Sequence, residues 1–379
     1  MGYKPKVYLT SNVFSSEEIG SNEKISQKLR EEIKSLWEKI TESAEIKIFN
    51  GRFPNNGQIK KETQEFNPEI IGCHLSHNIN SELLENSEIF AVLTSTAGYN
   101  HIERADEDDI IITHTPGVLH EAVADYTVAL INSNLRNIVD LHNYVWNGKW
   151  SSDDKWDLDQ ELSSVINNKT LGIVGLGEIG SEIVKKLYPW GLKIIYNDRE
   201  RNMDFEMQYP MIEHRENLED LFSEADIISL HIPLNESTEK LINRELLISM
   251  KKGALLVNTA RGGILDLEDL LNLLENGEIQ IDFSFDVFPD EPIPSKVLER
   301  FKRIKKEKPD IRMILIPHNA SADADTRGKM VILFLEDLIK IIKSSEIDDL
   351  NDVHLIPEHK KILFDKKWRI YKYWNTKLK

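Results

Sequence analysis

The 379-residue chain has a single cysteine, Cys73, and nowhere runs eighteen apolar residues together. One cysteine excludes an internal disulfide, cannot provide zinc-ligand spacing, and suits a reducing compartment. Without a long apolar run no membrane span is expected. The opening "MGYKPKVYLTSNVF" is too polar for a secretory leader, and Lys6 stands where a myristoylation signal needs Ser or Thr. A cytoplasmic protein with no membrane partner is therefore expected. Positive charge is also short: 47 Lys and Arg against 64 Asp and Glu leave a net −17. That excludes nucleic acid as the main partner, because phosphate binding needs clustered cations on one face. The basic clusters at 300–308 and in the tail read as solvated faces. What remains, 40% hydrophobic and 8% aromatic residues, is ordinary for a globular chain long enough for two cores.

Short apolar runs alternate with helical patterns through most of the chain. "KVYL", "EIKIF", "EIIGCHL" and "EIFAVLTS" read as strands, with an amphipathic helix at 23–40 between the first two. A long helix starts after Pro116 and Gly117, from about His120, and loses its apolar period near Trp146. The polar stretch "SSDDKWDLDQELSSVINNK" is a connector. A second series follows, with strands at "TLGIVG", "LKIIYND", "ADIISLHIP", "GALLVNTA", "IQIDFSFDV" and "RMILIPH". Strand–helix alternation of this kind makes parallel sheets covered by helices. The fold class is thus α/β, two Rossmann-like domains with doubly wound parallel sheets. A helix at about 323–343 has no strand after it, so it packs back on the first domain. The chain then crosses between domains near Arg136 and near His318, leaving a cleft. The expected boundaries are 1–135 with 319–345 for one domain, 136–318 for the inserted one, and a tail at 346–379 with no functional reading beyond packing on the surface or on a partner subunit.

"TLGIVGLGEIGSEIV" carries the strongest local signal. Gly175, Gly177 and Gly180 follow a strand and open a helix. The first glycine permits the tight turn, the second lets backbone approach a pyrophosphate, and the third lets helix pack on strand. The pyrophosphate would sit on amides at the positive helix end. About twenty residues on, Asp198 ends the next strand, where a carboxylate accepts from ribose hydroxyls and repels a 2′-phosphate. NAD is expected, with NADP as the alternative because Arg199 and Arg201 follow directly.

Three further residues each come straight after a strand: Arg261 in "NTARGGILD", Glu291 in "DVFPDEP" and His318 in "IPHNA". Ligands of open α/β sheets bind outside the carboxyl ends of the strands. A 2-oxo acid needs a fixed cation for its carboxylate, a proton donor for its carbonyl oxygen, and a group that keeps that donor protonated. Arg, His and Glu supply this set.

The phrases "TSTAGYNHI", "HTPGVLHEAVADYTVAL", "KTLGIVGLGEIG", "HIPLNESTEKLINRELLISMKKGALLVNTARGGILD", "DVFPDEP" and "PHNA", in this order, resemble the D-isomer-specific 2-hydroxyacid dehydrogenase family. The resemblance implies that Arg261 binds the substrate carboxylate and keto oxygen. It makes His318 the acid in reduction and the base in oxidation, with Glu291 hydrogen-bonded to it. Cofactor contacts are implied at Gly175, Gly177, Glu178, Ile179, Gly180, Asp198, Arg199, His231, Pro233, Thr259, Ala260, Asp286 and Ala320, with Asp286 near the nicotinamide carboxamide. Leu75, Ser76, Ala97, Gly98 and Tyr99, together with Arg261 and His318, would meet the substrate. No metal is implied. Glu178 departs from the family, where many members carry Arg, and Asn100 replaces a more usual Asp. The segment between Glu291 and His318 is longer than usual and is expected to loop outward. His74 and His77 stand where phosphoglycerate-type members place Arg. The substrate side is most similar to glyoxylate and hydroxypyruvate reductases, in which a partner's tryptophan can close the pocket; Trp150 and Trp156 are the candidates, with ordinary packing as the other reading. Lactate-type reduction and an NAD-dependent scaffold, its tail aromatics Trp368, Tyr371, Tyr373 and Trp374 binding a peptide, stay open. A homodimer embracing through the helix at 120–146 is expected.

Overall fold

A computed structural model describes residues 3–85, 87–103, 109–151 and 158–377. Among these, the strands form two wholly parallel sheets. The chain divides into two compact units, 1–119 with 322–379, and 120–321.

In the first unit β1 (Lys6–Leu9), β2 (Glu45–Ile48), β3 (Ile70–Cys73), β4 (Ala91–Thr94) and β5 (Ile111–Thr113) lie in the order β2-β1-β3-β4-β5. This is one of the two common doubly wound orders. Helix Gln27–Ser43 buries Ile33, Leu36, Trp37 and Ile40, a 3.6-residue stripe, against the buried face of helix Ala324–Lys343. The tail belongs to this unit's core. Leu355 bridges Thr113 in antiparallel fashion, Ile356 N–H donates to Ile112 O, and Trp368, Tyr373 and Trp374 are buried. Arg369 donates to the carbonyls of Leu84, Ser87 and Ile89 and pairs with Asp109. Three of the four aromatics that a peptide-binding tail would offer are thus interior packing.

In the second unit β6 (Thr170–Val174), β7 (Lys193–Asn197), β8 (Ile212–His214), β9 (Ile227–Leu230), β10 (Leu255–Asn258), β11 (Asp282–Phe285) and β12 (Met313–Leu315) lie in the order β12-β11-β10-β9-β6-β7-β8. Strand order reverses at β6, with β7 and β9 on either side. The crevice outside the carboxyl ends of β6 and β9 is the place where such sheets bind ligands.

Three expectations change. First, the unit boundaries fall at 119/120 and 321/322 rather than after 135 and 318. Helix His120–Leu135 belongs with the second sheet, its Ala124, Ile131 and Leu135 buried in one cluster with Leu171 and Ile173, and its Asn134 amide donating to Phe283 O and Arg312 O. Second, the long helix is broken. Asn137 adopts φ +53°, a left-handed conformation that Asn tolerates better than most residues, and a separate helix Ile138–Trp146 follows with no buried residue. Third, the segment between Glu291 and His318 is no outward loop. Its helix Ser295–Glu307 is the crossover joining β11 to β12, with Phe301 and Ile304 in the core and Arg300 bound to Glu268 and Glu275.

Candidate active site

The glycine turn follows β6. Gly175 has φ +95°, and a Cβ there would lie 2.8 Å from His231 O, so the turn presses on the loop after β9. A Cβ on Gly180 would collide with Gly175 O. Only glycine lets helix Glu178–Leu187 start this close, its Gly180, Ile183, Val184 and Leu187 buried at 3.6-residue spacing. Gly177, the N-cap, differs: among the described residues nothing lies within 4 Å of its added Cβ, and no side chain caps the helix. Uncapped amides facing open space fit a diphosphate. Glu178 is exposed and Ile179 half-buried.

Asp198 accepts from Leu176 N–H (2.7 Å) with one oxygen and from Arg199 N–H (2.7 Å) with the other. It therefore ties the end of β7 to the glycine turn, a role its spacing did not disclose. Arg199 is exposed.

His231, directly after β9, bonds Ser229 Oγ through Nε2 at 2.7 Å, and its Nδ1 is buried with no partner among the described residues. Burial presses its pKa down from 6.5 to about 3. The folded protein holds this ring neutral, so between about pH 3 and 6.5 the unfolded chain binds more protons. Stability contributed by the neutral ring is present above pH 6.5 and is lost as pH falls through that window, by up to about 1.4 kcal/mol per pH unit. Urea midpoints from pH 7 to 4.5, taken without dinucleotide, should therefore fall less steeply in His231→Asn than in the parent; identical slopes would contradict the burial argument. Pro233, on the same loop, is exposed, its carbonyl accepting from Thr238 Oγ1 at 2.6 Å.

After β10, Asn258 brackets the next loop: its Oδ1 accepts from Ala260 N–H (3.0 Å) and its Nδ2 donates to Arg261 O (3.0 Å). Thr259 Oγ1 bonds Thr127 Oγ1 at 2.9 Å. Arg261 is half-buried, and its Nη1 donates to Ala260 O at 2.7 Å. Among the described residues no carboxylate stands within salt-bridge distance of the guanidinium. Burial lowers its pKa, with the Glu291 charge opposing, yet a guanidinium stays protonated at neutral pH. The following Gly262 sits so close to the next loop that a Cβ would collide with the Phe288 backbone. This contact holds the Arg261 loop against the loop that carries Glu291.

His318 Nδ1–H donates to Glu291 Oε2 at 2.7 Å, and Glu291 Oε1 accepts from Phe288 N–H at 2.9 Å. Burial pushes the Glu291 carboxyl up, but the bonds from His318 and Phe288 outweigh it, leaving the carboxyl below its ordinary range. His318 has φ +50°, a conformation that costs a non-glycine residue and persists only where its surroundings hold it. They do so through Asp286, which is 1% exposed. Its backbone O accepts from His318 N–H, and its two carboxylate oxygens accept from the N–H groups of Asn319 (2.6 Å) and Ala320 (2.9 Å). The carboxylate expected beside a nicotinamide carboxamide is thus engaged with the backbone of the His318 loop. The sequence showed Asp286 one residue past a strand, but nothing in it signalled three bonds to a loop 32 residues on.

The residues expected on the substrate side lie in the first unit. Leu75 is half-buried and Ser76 exposed on the loop after β3; Ala97, Gly98 and Tyr99 are half-buried after β4. Thr96 Oγ1 donates to Gly98 O, His114 Nδ1 bonds Ala97 O, and Tyr99 Oη donates to Glu358. His77 is buried between Thr10 Oγ1 and Arg52 O, and burial lowers its pKa. It is a neutral structural ring and offers no cation to a second anionic group. Trp150 is exposed, and Trp156 lies outside the described residues.

The profile of the D-isomer specific 2-hydroxyacid dehydrogenase NAD-binding domain matches residues 128–320. A glyoxylate reductase of Thermofilum pendens is 38% identical over 279 residues, 73% of this chain and 78% of that protein. One of Korarchaeum cryptofilum is 34% identical over 304 residues, 79% and 87% of the two chains. Among solved structures, the TT0316 protein of Thermus thermophilus aligns with a TM-score of 0.71 at 27% identity, covering 88% of this chain and 96% of its own.

Proposed function

The chain belongs to the D-isomer-specific 2-hydroxyacid dehydrogenase family of NAD(P)-dependent oxidoreductases, and from that premise we propose that it reduces glyoxylate or hydroxypyruvate to the 2-hydroxy acid, with NADH preferred. The observation that carries this reading is Arg261: a half-buried guanidinium without a carboxylate partner among the described residues, on a loop pressed against the one that carries Glu291. A buried cation left unpaired is costly unless a ligand completes it.

The turn at Gly175, Gly177 and Gly180, with Asp198 and the loops at His231 and Thr259–Ala260, would hold the dinucleotide. When bound, it supplies the hydride for C2. Arg261 presents a planar fork to the substrate carboxylate and fixes which face of the oxo group is exposed. His318 uses Nδ1 on Glu291, which leaves Nε2 to give its proton to the C2 oxygen. The Glu291 carboxylate stabilises the imidazolium and fixes the ring's orientation. Asp286 holds the loop in its strained conformation. Leu75, Ser76, Ala97, Gly98 and Tyr99 are assigned to the substrate by the family resemblance. The neutral His77 and the glyoxylate reductases among the relatives support a small monoanionic acid over a phosphate ester.

Steady-state oxidation of NADH and NADPH against glyoxylate, hydroxypyruvate, pyruvate and longer 2-oxo acids tests the reading. kcat/KM should be highest for glyoxylate or hydroxypyruvate. A clear preference for pyruvate would replace it with a lactate-type activity. The proposal includes a homodimer, supported by the exposed Ile138, Val145 and Trp146 on one short helix. A monomer in light scattering at micromolar concentration would refute that part.

A further inference from the structure

Arg199 and Arg201 follow Asp198 at the end of β7, where a guanidinium beside the adenosine ribose would favour a 2′-phosphate. The two arginines are not equivalent. Arg199 is exposed, whereas Arg201 is clamped. Its Nε lies 2.9 and 3.1 Å from Glu206 Oε1 and Oε2, and its Nη2 donates to Oε2 at 2.7 Å. Glu206 is in turn fixed from the sheet. Tyr196 Oη, on β7 itself, donates to Glu206 Oε1 at 2.7 Å and accepts from Asn202 N–H at 2.9 Å. Asn202 caps helix Met203–Gln208, which carries Glu206. The Glu206 side chain is 15% exposed and that of Arg201 59%. The acid is thus a rooted element of the strand end, and the arginine is the long side chain drawn onto it.

We infer that Glu206 is a specificity-determining residue that holds the chain to NAD by occupying Arg201, the guanidinium that would otherwise pair with a 2′-phosphate. The chemistry is a competition between two anions for one fork. A carboxylate already in bidentate geometry, pre-positioned by a tyrosine, pays no ordering cost, while a dinucleotide phosphate would have to displace it. Asp198 adds direct repulsion of the same phosphate, so the two acids act in one direction. The inference rests on the assignment of the β7 end to the adenosine ribose.

Glu206→Gln tests it with little disturbance, because the amide oxygen still accepts from Tyr196 Oη while the charge that clamps Arg201 is gone. Binding is read by nucleotide fluorescence for NADH and NADPH, and by calorimetry for AMP and 2′-phospho-AMP, without substrate. NADPH and 2′-phospho-AMP are expected to bind about three- to fivefold more tightly than to the parent, the upper range of one newly formed exposed ion pair. NADH and AMP should change less than about twofold. Adding Arg201→Ala should abolish the gain, since no freed guanidinium remains. An unchanged NADPH-to-NADH ratio in Glu206→Gln, or a gain that survives Arg201→Ala, overturns the inference. Equal weakening of both dinucleotides would make Glu206 a strut for the strand end and overturns it as well. Failure of the parent to bind NADH at all would instead refute the dinucleotide site, so the two failures are separable.

Discussion

Replacing His318 by alanine is expected to lower kcat for 2-oxo acid reduction by about 10³-fold while leaving the Kd for NADH within about twofold, the general-acid range being about 10²–10⁴. The expectation follows from the ring's attachments. Nδ1 is committed to Glu291 at 2.7 Å, and the main chain is held at φ +50° by the bond from His318 N–H to Asp286 O. A residue maintained in a strained conformation by a buried acid is positioned for its side chain. The Asn319 and Ala320 amides stay bound to Asp286 when the imidazole is removed, so the loop should keep its shape and the loss should fall on turnover. Stopped-flow traces with pre-bound NADH separate the two quantities. Near-parental turnover would remove His318 from the chemistry.

Arg261→Ala should act on both constants, raising the apparent KM for the oxo acid about 10–100-fold and lowering kcat as well, because in its proposed role the fork both binds the carboxylate and orients the carbonyl. An Arg–carboxylate bond to a charged group is worth about 1.5–3 kcal/mol, which sets that range. Arg261→Lys supplies a point charge without the planar fork, so it should recover binding better than turnover. Stability offers an independent check. The guanidinium has no carboxylate within salt-bridge distance among the described residues, and burial lowers its pKa. Its removal relieves a desolvation penalty, so Tm in the absence of ligands should hold or rise. A steep fall in Tm would show that Arg261 is structural and that the kinetic loss is secondary.

The residues of this site were legible to different depths for physical reasons. The glycine turn could be read because Gly175 and Gly180 answer steric demands that no other residue meets, while Gly177 leaves the open space a diphosphate needs. Arg261, Glu291 and His318 could be picked out because each is a chemically distinct residue directly after an apolar strand. Their supports were hidden. Asn258 binds backbone groups two and three residues ahead of it, whereas Asp286 binds the backbone of a loop more than thirty residues on, a bond that leaves no trace in residue spacing. The short strand Ile212–His214 has no sequence signal because it buries only its first residue at a sheet edge. The strand Ile111–Thr113, by contrast, had a signal in three successive isoleucines. The break at Asn137 is a matter of backbone dihedral, invisible to a hydrophobic pattern that runs on to Trp146. The tail's Trp368, Tyr373 and Trp374 join the core of the first unit, a long-range contact that local periodicity does not encode.

The most direct measurement is the reaction of the purified chain with NADH and hydroxypyruvate, following both NADH oxidation and the configuration of the glycerate formed. One NADH should be oxidised per glycerate, and the product should be the D isomer. Bound NADH that is not oxidised in the presence of any 2-oxo acid, or formation of L-glycerate, would contradict the assignment of Arg261 and His318 to hydride-coupled proton transfer.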